Sequence, residues 1–155
     1  MENLREKLGL VSHPEGGAYR ELAKSDREVD VVGGQGRRSA VTHIYFHLSE
    51  GEVSRFHKVA SDEIWHLYEG DGVILYQWEE GSDKVESVRL GTGDALHCHL
   101  IPAGIWQAAE PVGESVLVGC TVAPGFEFED FTLIDSDGPE AQEIRRIDPG
   151  LEKFL

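Results

Sequence analysis

Gly51-Glu52-Val53-Ser54-Arg55-Phe56-His57-Lys58-Val59-Ala60-Ser61-Asp62-Glu63-Ile64-Trp65-His66-Leu67-Tyr68-Glu69-Gly70 reads as two strands, 52–59 and 62–69, meeting at a turn near Ala60-Ser61. Successive side chains of a strand point to opposite faces. If His57 points inward, so do Val59, Glu63, Trp65 and Leu67, while Ile64, His66 and Tyr68 point outward, provided no bulge falls between 57 and 63. A histidine and a carboxylate then share one enclosed face with a tryptophan beside them. That grouping suits a site for a small molecule; the alternative is a purely structural His/Glu pair.

The surrounding chain repeats the pattern. Val41–Leu48 alternates, with Ile44, Phe46 and Leu48 on one face and His43, Tyr45 and His47 on the other. Further strands are expected at 73–78, 85–90, 95–101, 105–109 and 115–122. Glu69-Gly70-Asp71-Gly72, Glu80-Gly81-Ser82-Asp83 and Gly91-Thr92-Gly93-Asp94 supply turns between them. Such regular spacing with no helix between strands predicts a barrel or sandwich rather than βαβ units. Upstream, 2–9 is expected to be a short helix with Leu4 and Leu8 on one face, and 18–22 an edge strand after the turn His13-Pro14-Glu15-Gly16-Gly17. The charged stretch 25–38, with Gly33-Gly34-Gln35-Gly36, is expected to be a mobile loop. Downstream, a strand is expected around 126–134 and a short helix near 139–147. No repeat or second domain interrupts 1–155, which reads as a single domain.

Composition narrows the function. The chain has 155 residues, 40% hydrophobic and 28% charged, as expected of one globular domain. Its formal charge of −15 comes from 29 acidic against 14 basic residues, and no basic stripe offsets it. Nucleic-acid polymers are therefore not expected as partners, although a single nucleotide could enter a locally basic pocket. No apolar run reaches the roughly 18 residues of a membrane span, and the first residues lack the apolar core of a secretory signal, so no membrane partner and a cytoplasmic location are expected. Cys98 and Cys120 lie in apolar strand-like runs and are expected to be reduced, buried and slow to react, with a cross-strand disulfide as the alternative.

The quoted stretch also resembles the first motif of the cupin superfamily, G-x5-H-x-H-x3–4-E-x6-G. Gly51, His57, Glu63 and Gly70 match it, and Val59 stands where the second histidine belongs. Pro102-Ala103-Gly104 matches part of the second motif, and Gln107 occupies its histidine position. His13-Pro14-Glu15-Gly16-Gly17, Ser61–His66, Pro102–Ala109 and Val118–Phe126 together resemble one cupin branch of unassigned function, related in fold to the dTDP-sugar epimerases. The resemblance covers roughly residues 4–135. It implies an all-β, antiparallel jelly-roll barrel with short terminal helices, a homodimer, and one pocket for a small-molecule ligand.

The same resemblance marks the candidate site. His57 and Glu63 fall at ligand positions and are the expected catalytic pair; with Gln107 they form the expected metal set. Gln107 offers only a carboxamide oxygen, so a metal-free pocket or a weakly held divalent cation is expected. Tyr19, Arg20, Tyr45, Trp65 and Gln107 are the expected ligand-binding residues. Arg20 has a surface salt bridge as its alternative role. His97 and His99 are expected on the exterior, opposite the apolar face formed by Leu96, Cys98 and Leu100. Two functions follow. One is an isomerase- or epimerase-like enzyme acting on a sugar or sugar-nucleotide, with His57 as base, Glu63 beside it, and Tyr19 or Tyr45 as acid. The other is a non-catalytic protein that binds or senses a small metabolite.

Overall fold

Alternating apolar positions and glycine-rich turns build thirteen strands in the computed structural model, which describes residues 3–34, 36–93 and 95–155. Met1, Glu2, Gln35 and Asp94 lie outside the described residues, as do the parts of the 2–9 helix, the 33–36 loop and the 91–94 turn that fall on them. In chain order the elements are α1 (Leu4–Leu8), β1 (Val11–Ser12), β2 (Ala18–Lys24), β3 (Glu28–Val31), β4 (Gly36–Ser39), β5 (Thr42–Ser49) and β6 (Ser54–Val59). They continue with β7 (Asp62–Gly70), β8 (Gly72–Trp78), β9 (Glu86–Gly91), β10 (Cys98–Ile101), β11 (Trp106–Pro111), β12 (Ser115–Ala123), β13 (Phe131–Leu133) and α2 (Pro139–Ile147).

Two antiparallel sheets make the barrel. One runs β1-β2-β5-β12-β7-β10, the other β13-β6-β11-β8-β9. Their inward faces meet over Phe46, Leu48, Trp65, Val73, Leu75, Leu90, Val116 and Val118, each at most 1% exposed. Burying a side chain of that size contributes roughly 1.5–3 kcal/mol, so this apolar layer is the main stabilising element. The outer face of the five-stranded sheet has a separate cover. Phe56, Trp78, Trp106 and Ala108 are buried beneath Ala141 and Ile144 of α2 and beneath Leu151 and Phe154 of the closing 3₁₀ turn. Among the described residues the outer face of the six-stranded sheet has no such cover beyond α1, whose Arg5 lies over His47: Leu22, Tyr68 and Leu100 are more than 40% exposed there. Among the described residues no helix is long and apolar enough to cross a membrane.

Three local expectations are corrected. The stretch 25–38 contains the two-stranded hairpin β3–β4: Arg37 lies 3.0 Å from Glu28 across the strands, and Arg38 anchors the hairpin by donating two bonds, at 2.7 and 2.9 Å, to Asp130 of the 3₁₀ turn. Residues 126–134 are mostly not strand, since a 3₁₀ turn at Phe128–Asp130 precedes the short β13. The parity of β10 is reversed. Cys98 pairs with His66 and Leu100 with Ile64, so the two apolar side chains share the outer face, while His99 turns to Gln77 (Nε2 to Oε1, 3.1 Å). Edge position explains this, because an outward apolar residue at a sheet edge mimics a core pattern in sequence.

Candidate functional site

One end of the barrel is open, and a cavity of about 260 Å³ enters it between the sheets. Three strands deliver polar groups. Glu63 starts β7 with inward parity, opposite Val122 of β12; His57 comes from β6; Tyr19 and Glu21 come from β2. Val59, at the motif's second histidine position, lines the cavity as an apolar wall.

The fourth group arrives from a turn. Glu15 lies outside the strands yet is only 6% exposed, because the turn that carries it is pressed against the barrel. A Cβ on Gly16 would stand 2.1 Å from the Val53 carbonyl oxygen, and one on Gly17 would stand 2.7 Å from that of His47. Both glycines have positive φ, so any other residue there would clash and be strained. The turn thereby swings Glu15 inward, where Oε1 accepts from Ser54 Oγ (2.8 Å) and Oε2 lies 3.2 Å from His57 Nε2. His57 Nδ1 lies 2.7 Å from the Arg55 carbonyl and donates to it, which leaves Nε2 to face Glu15. His13 sits beside them with its Nδ1 accepting from the Glu15 backbone N–H (3.2 Å), so its ring proton is on Nε2.

Burial sets the protonation of this group. It pushes the Glu15 carboxyl up to about 8 against the Ser54 bond, and Glu63 up to about 7 against the attraction of His57. The same burial lowers His57, opposed by the charge of Glu63 and by the Arg55 carbonyl, and takes His13 down to about 4. At neutral pH the histidines are neutral, and the proton shared by Glu15 and His57 rests on Glu15.

Gln107 stands behind the cavity rather than in its wall. Its Nε2 donates to Glu63 Oε2 (2.7 Å), and its Oε1 accepts from Trp65 Nε1 (2.8 Å), with both residues 1% exposed. The Cys120 thiol lines the cavity beside Glu63. The set His57, Glu63 and Gln107 therefore does not fit a cation, since the Gln107 carbonyl is spent on the indole. Among the described residues no three His, Cys, Asp or Glu side chains are grouped to hold one. Trp65, expected among the ligand-binding residues, instead stands behind the cavity wall: it packs edge-on to Phe46 with centroids 5.8 Å apart and bonds Gln107.

The remaining candidates separate by parity. Tyr19 reaches the cavity and packs edge-on to His13 with centroids 4.7 Å apart. Arg20, its neighbour, points outward and donates to the Leu8 carbonyl (3.0 Å). Tyr45 is outward too, against Tyr68, in a cluster where His43 bonds Tyr68 and Thr121, each at 2.8 Å. His47 is covered by Arg5 of α1, whose Nε donates to its Nδ1 (3.0 Å). Three aromatic residues outside the expected set complete the walls: Phe126, Phe128 and Phe131, the last stacked on His57 with centroids 5.4 Å apart. The clustering of three phenylalanines within 126–131 was the available signal.

A family model described as "Cupin superfamily (DUF985)" matches residues 2–134. Protein SO0799 from Shewanella oneidensis superposes with a TM-score of 0.84 at 28% identity, covering 99% of this chain and 98% of that one. A hypothetical protein from Leishmania major superposes at 0.80, also with 28% identity, over 96% and 92% of the two chains. The uncharacterized protein YML079W of Saccharomyces cerevisiae is 28% identical over 146 residues, 83% of this chain and 72% of that protein.

Proposed function

The chain belongs to the DUF985 family of the cupin superfamily, and from that premise we propose that its cavity is a proton-transfer site of the isomerase or epimerase kind, acting on a sugar or the sugar end of a sugar-nucleotide. One observation carries the reading: His57 Nε2 and Glu15 Oε2 lie 3.2 Å apart inside a cavity that Glu63 and Tyr19 also line. A histidine and a carboxylic acid sharing a proton, beside a second carboxyl near 7, hold both a base and an acid at neutral pH. In this reading His57 takes the proton from the carbon next to a substrate carbonyl, made more basic by ionised Glu63. Glu15, released from His57, hydrogen-bonds the developing enolate, and Tyr19 returns a proton from the other side. The volume admits one ring, so a nucleotide tail would lie outside the mouth.

A second reading, a non-catalytic binding or sensing protein, is favoured by the fixed bonds of Ser54, the Arg55 carbonyl and Gln107, which hold the three polar groups as anchors. A cytoplasmic location and a homodimer meeting through the uncovered outer face of the six-stranded sheet belong to the same proposal. Incubating a panel of sugars with the protein in D₂O separates the two functions. Proton transfer predicts deuterium at a carbon next to the carbonyl, falling by about 10²–10⁴-fold in His57→Ala. Binding detected by calorimetry with no exchange in any sugar assigns the cavity to binding alone.

A further inference from the structure

The walls of the cavity carry an imbalance of charge and of hydrogen-bonding groups. Glu15 and Glu63 lie deep in it, and Glu21 and Glu127 stand at the mouth. The lining includes one permanent cation, Lys24, and its ammonium is already 2.7 Å from the Glu127 carboxylate. Aromatic rings form the rest of that end. Phe126, Phe128 and Phe131 meet edge-to-face, with centroids 5.0 to 6.1 Å apart, in one corner. Carboxyls facing aromatic rings in a partly enclosed space are the surroundings that recognise an organic cation.

An independent observation asks for a ligand at the same place. The His13 side chain is only 6% exposed, and its ring lines the cavity. Its Nδ1 is occupied by the Glu15 backbone N–H, so the Nε2–H is a donor. Among the described residues that donor has no acceptor, a costly state for a buried polar group. An occupant must therefore bring an acceptor to His13 as well as positive charge to the carboxyls.

We propose that the occupant is a small ring bearing a protonated amine, seated between the Glu15 and Glu63 carboxyls and the Phe126–Phe128–Phe131 corner, with a hydroxyl or carbonyl oxygen accepting from His13 Nε2–H. The proposal rests on the cavity being the ligand site and narrows its sugars to amino sugars. Phosphate- or carboxylate-bearing rings are disfavoured, because the lining cation, Lys24, is already paired with Glu127 and an anion beside Glu15 and Glu63 gains no opposite charge. The acids need not be ionised beforehand: an ammonium ion favours their charged forms once it is bound.

Three rings of one shape and different charge test this: glucosamine, glucose and glucuronate, titrated calorimetrically at about pH 6.5, where the amine is protonated. Glucosamine is expected to bind most tightly and glucuronate least. Glu63→Gln, an isostere that keeps the buried volume, is expected to weaken glucosamine by about tenfold or more and to leave glucose little changed. Should that variant fail to fold, Phe128→Leu at a half-exposed position reads the same contact, with glucosamine alone weakened by about threefold. A series in which glucosamine is not the tightest, including one in which none of the three binds, overturns the proposal. So does a variant that weakens glucose as much as glucosamine. The D₂O readout on the same samples keeps the two readings apart. Exchange without an amine preference sinks the charge assignment alone; an amine preference without exchange sinks proton transfer alone.

Discussion

The inward positions of β5, β7 and β12 run the length of the barrel, and its two ends are filled differently. At one end stand Leu48, Leu67, Val116 and Val118, closed against Val73 and Leu75 of β8. At the other stand Ile44, Glu63, Cys120 and Val122, with His57 and Glu15 facing them across open space. Phe46 and Trp65 mark the border. Strand parity is the same at both ends, so parity explains which residues face in and says nothing about whether the space is filled. The apolar end stabilises by burial. The polar end does the reverse, because each carboxyl there gives up water for few partners. A chain that keeps such groups at the open end, with Phe46 and Trp65 between them and the apolar end, has a stable half and a working half in one core.

The largest test of that division is the pH dependence of Glu15→Gln. Glu15 rises from 4.5 to about 8 on folding, so the folded state favours its protonated form. That contribution is complete below about pH 4.5 and is lost as pH climbs through about 8. The parent is therefore expected to lose on the order of 5 kcal/mol relative to Glu15→Gln over that interval, read from urea unfolding curves. The groups facing Glu15 are His13 on its own turn, His57 and Ser54 on β6, Glu63 on β7 and Cys120 on β12. Glu63, raised to about 7, adds a loss of the same sign. His13, lowered to about 4, acts oppositely, and its contribution fades as pH falls from 6.5. Leu75→Ala at the apolar end is expected to lower stability equally at every pH. Parallel curves for the parent and Glu15→Gln would mean that the carboxyl is not buried as described.

Next in size is Trp65→Phe, at the border between the two ends. The substitution keeps an aromatic ring against Phe46 but leaves Gln107 Oε1, in a side chain 1% exposed, without its indole donor. The expected loss is about 2 kcal/mol, because an unsatisfied buried acceptor costs roughly 1–3 kcal/mol. Gln107 also holds Glu63, so binding in the cavity is expected to weaken in the same variant. A loss no larger than the change in apolar area would show that the Gln107 link carries no energy.

Most of the barrel was legible because its strands alternate and its turns carry glycine. His57 and Glu63 were legible for a related reason: the spacing between Gly51 and Gly70 places them, and no bulge disturbs 57–63. What failed did so through tertiary effects. Tyr19 and Arg20 are adjacent on β2, so one faces the cavity and the other α1; strand parity already forbids both from entering it. Tyr45 goes outward with His43 for the same reason. Gln107 occupies a ligand position by spacing, yet its amide is turned by Trp65 and Glu63, and no spacing encodes that rotation. Glu15 was the largest omission. A carboxylate in a Pro-Glu-Gly-Gly turn normally meets water, and only the contacts of Gly16 and Gly17 with Val53 and His47 show that this turn lies flat on the barrel.

The smallest expected effect separates the two faces of a single sheet. Cys120 pairs with Trp65 and Cys98 with His66, so one step along β7 places the two thiols on opposite faces. Both are free, but only Cys120 is buried: it is 2% exposed and is raised well above the usual thiol range by burial. The expectation that both react slowly therefore holds in the geometry for Cys120 and not for Cys98. Labelling the folded protein is expected to modify Cys98 rapidly and Cys120 only on unfolding, with the unfolding free energy changing by less than about 0.5 kcal/mol, since an exposed site contributes little. Cys98 lies on the same outer face as Tyr68 and Leu100, where the proposed homodimer would meet. In a dimer its labelling slows as protein concentration rises, and light scattering returns twice the chain mass. A monomer mass together with a concentration-independent rate would remove the dimer from the proposal while leaving the inside–outside division of the sheet intact. Rapid labelling of native Cys120 would break that division itself, because a reagent can reach that thiol only through the cavity or through an opened barrel.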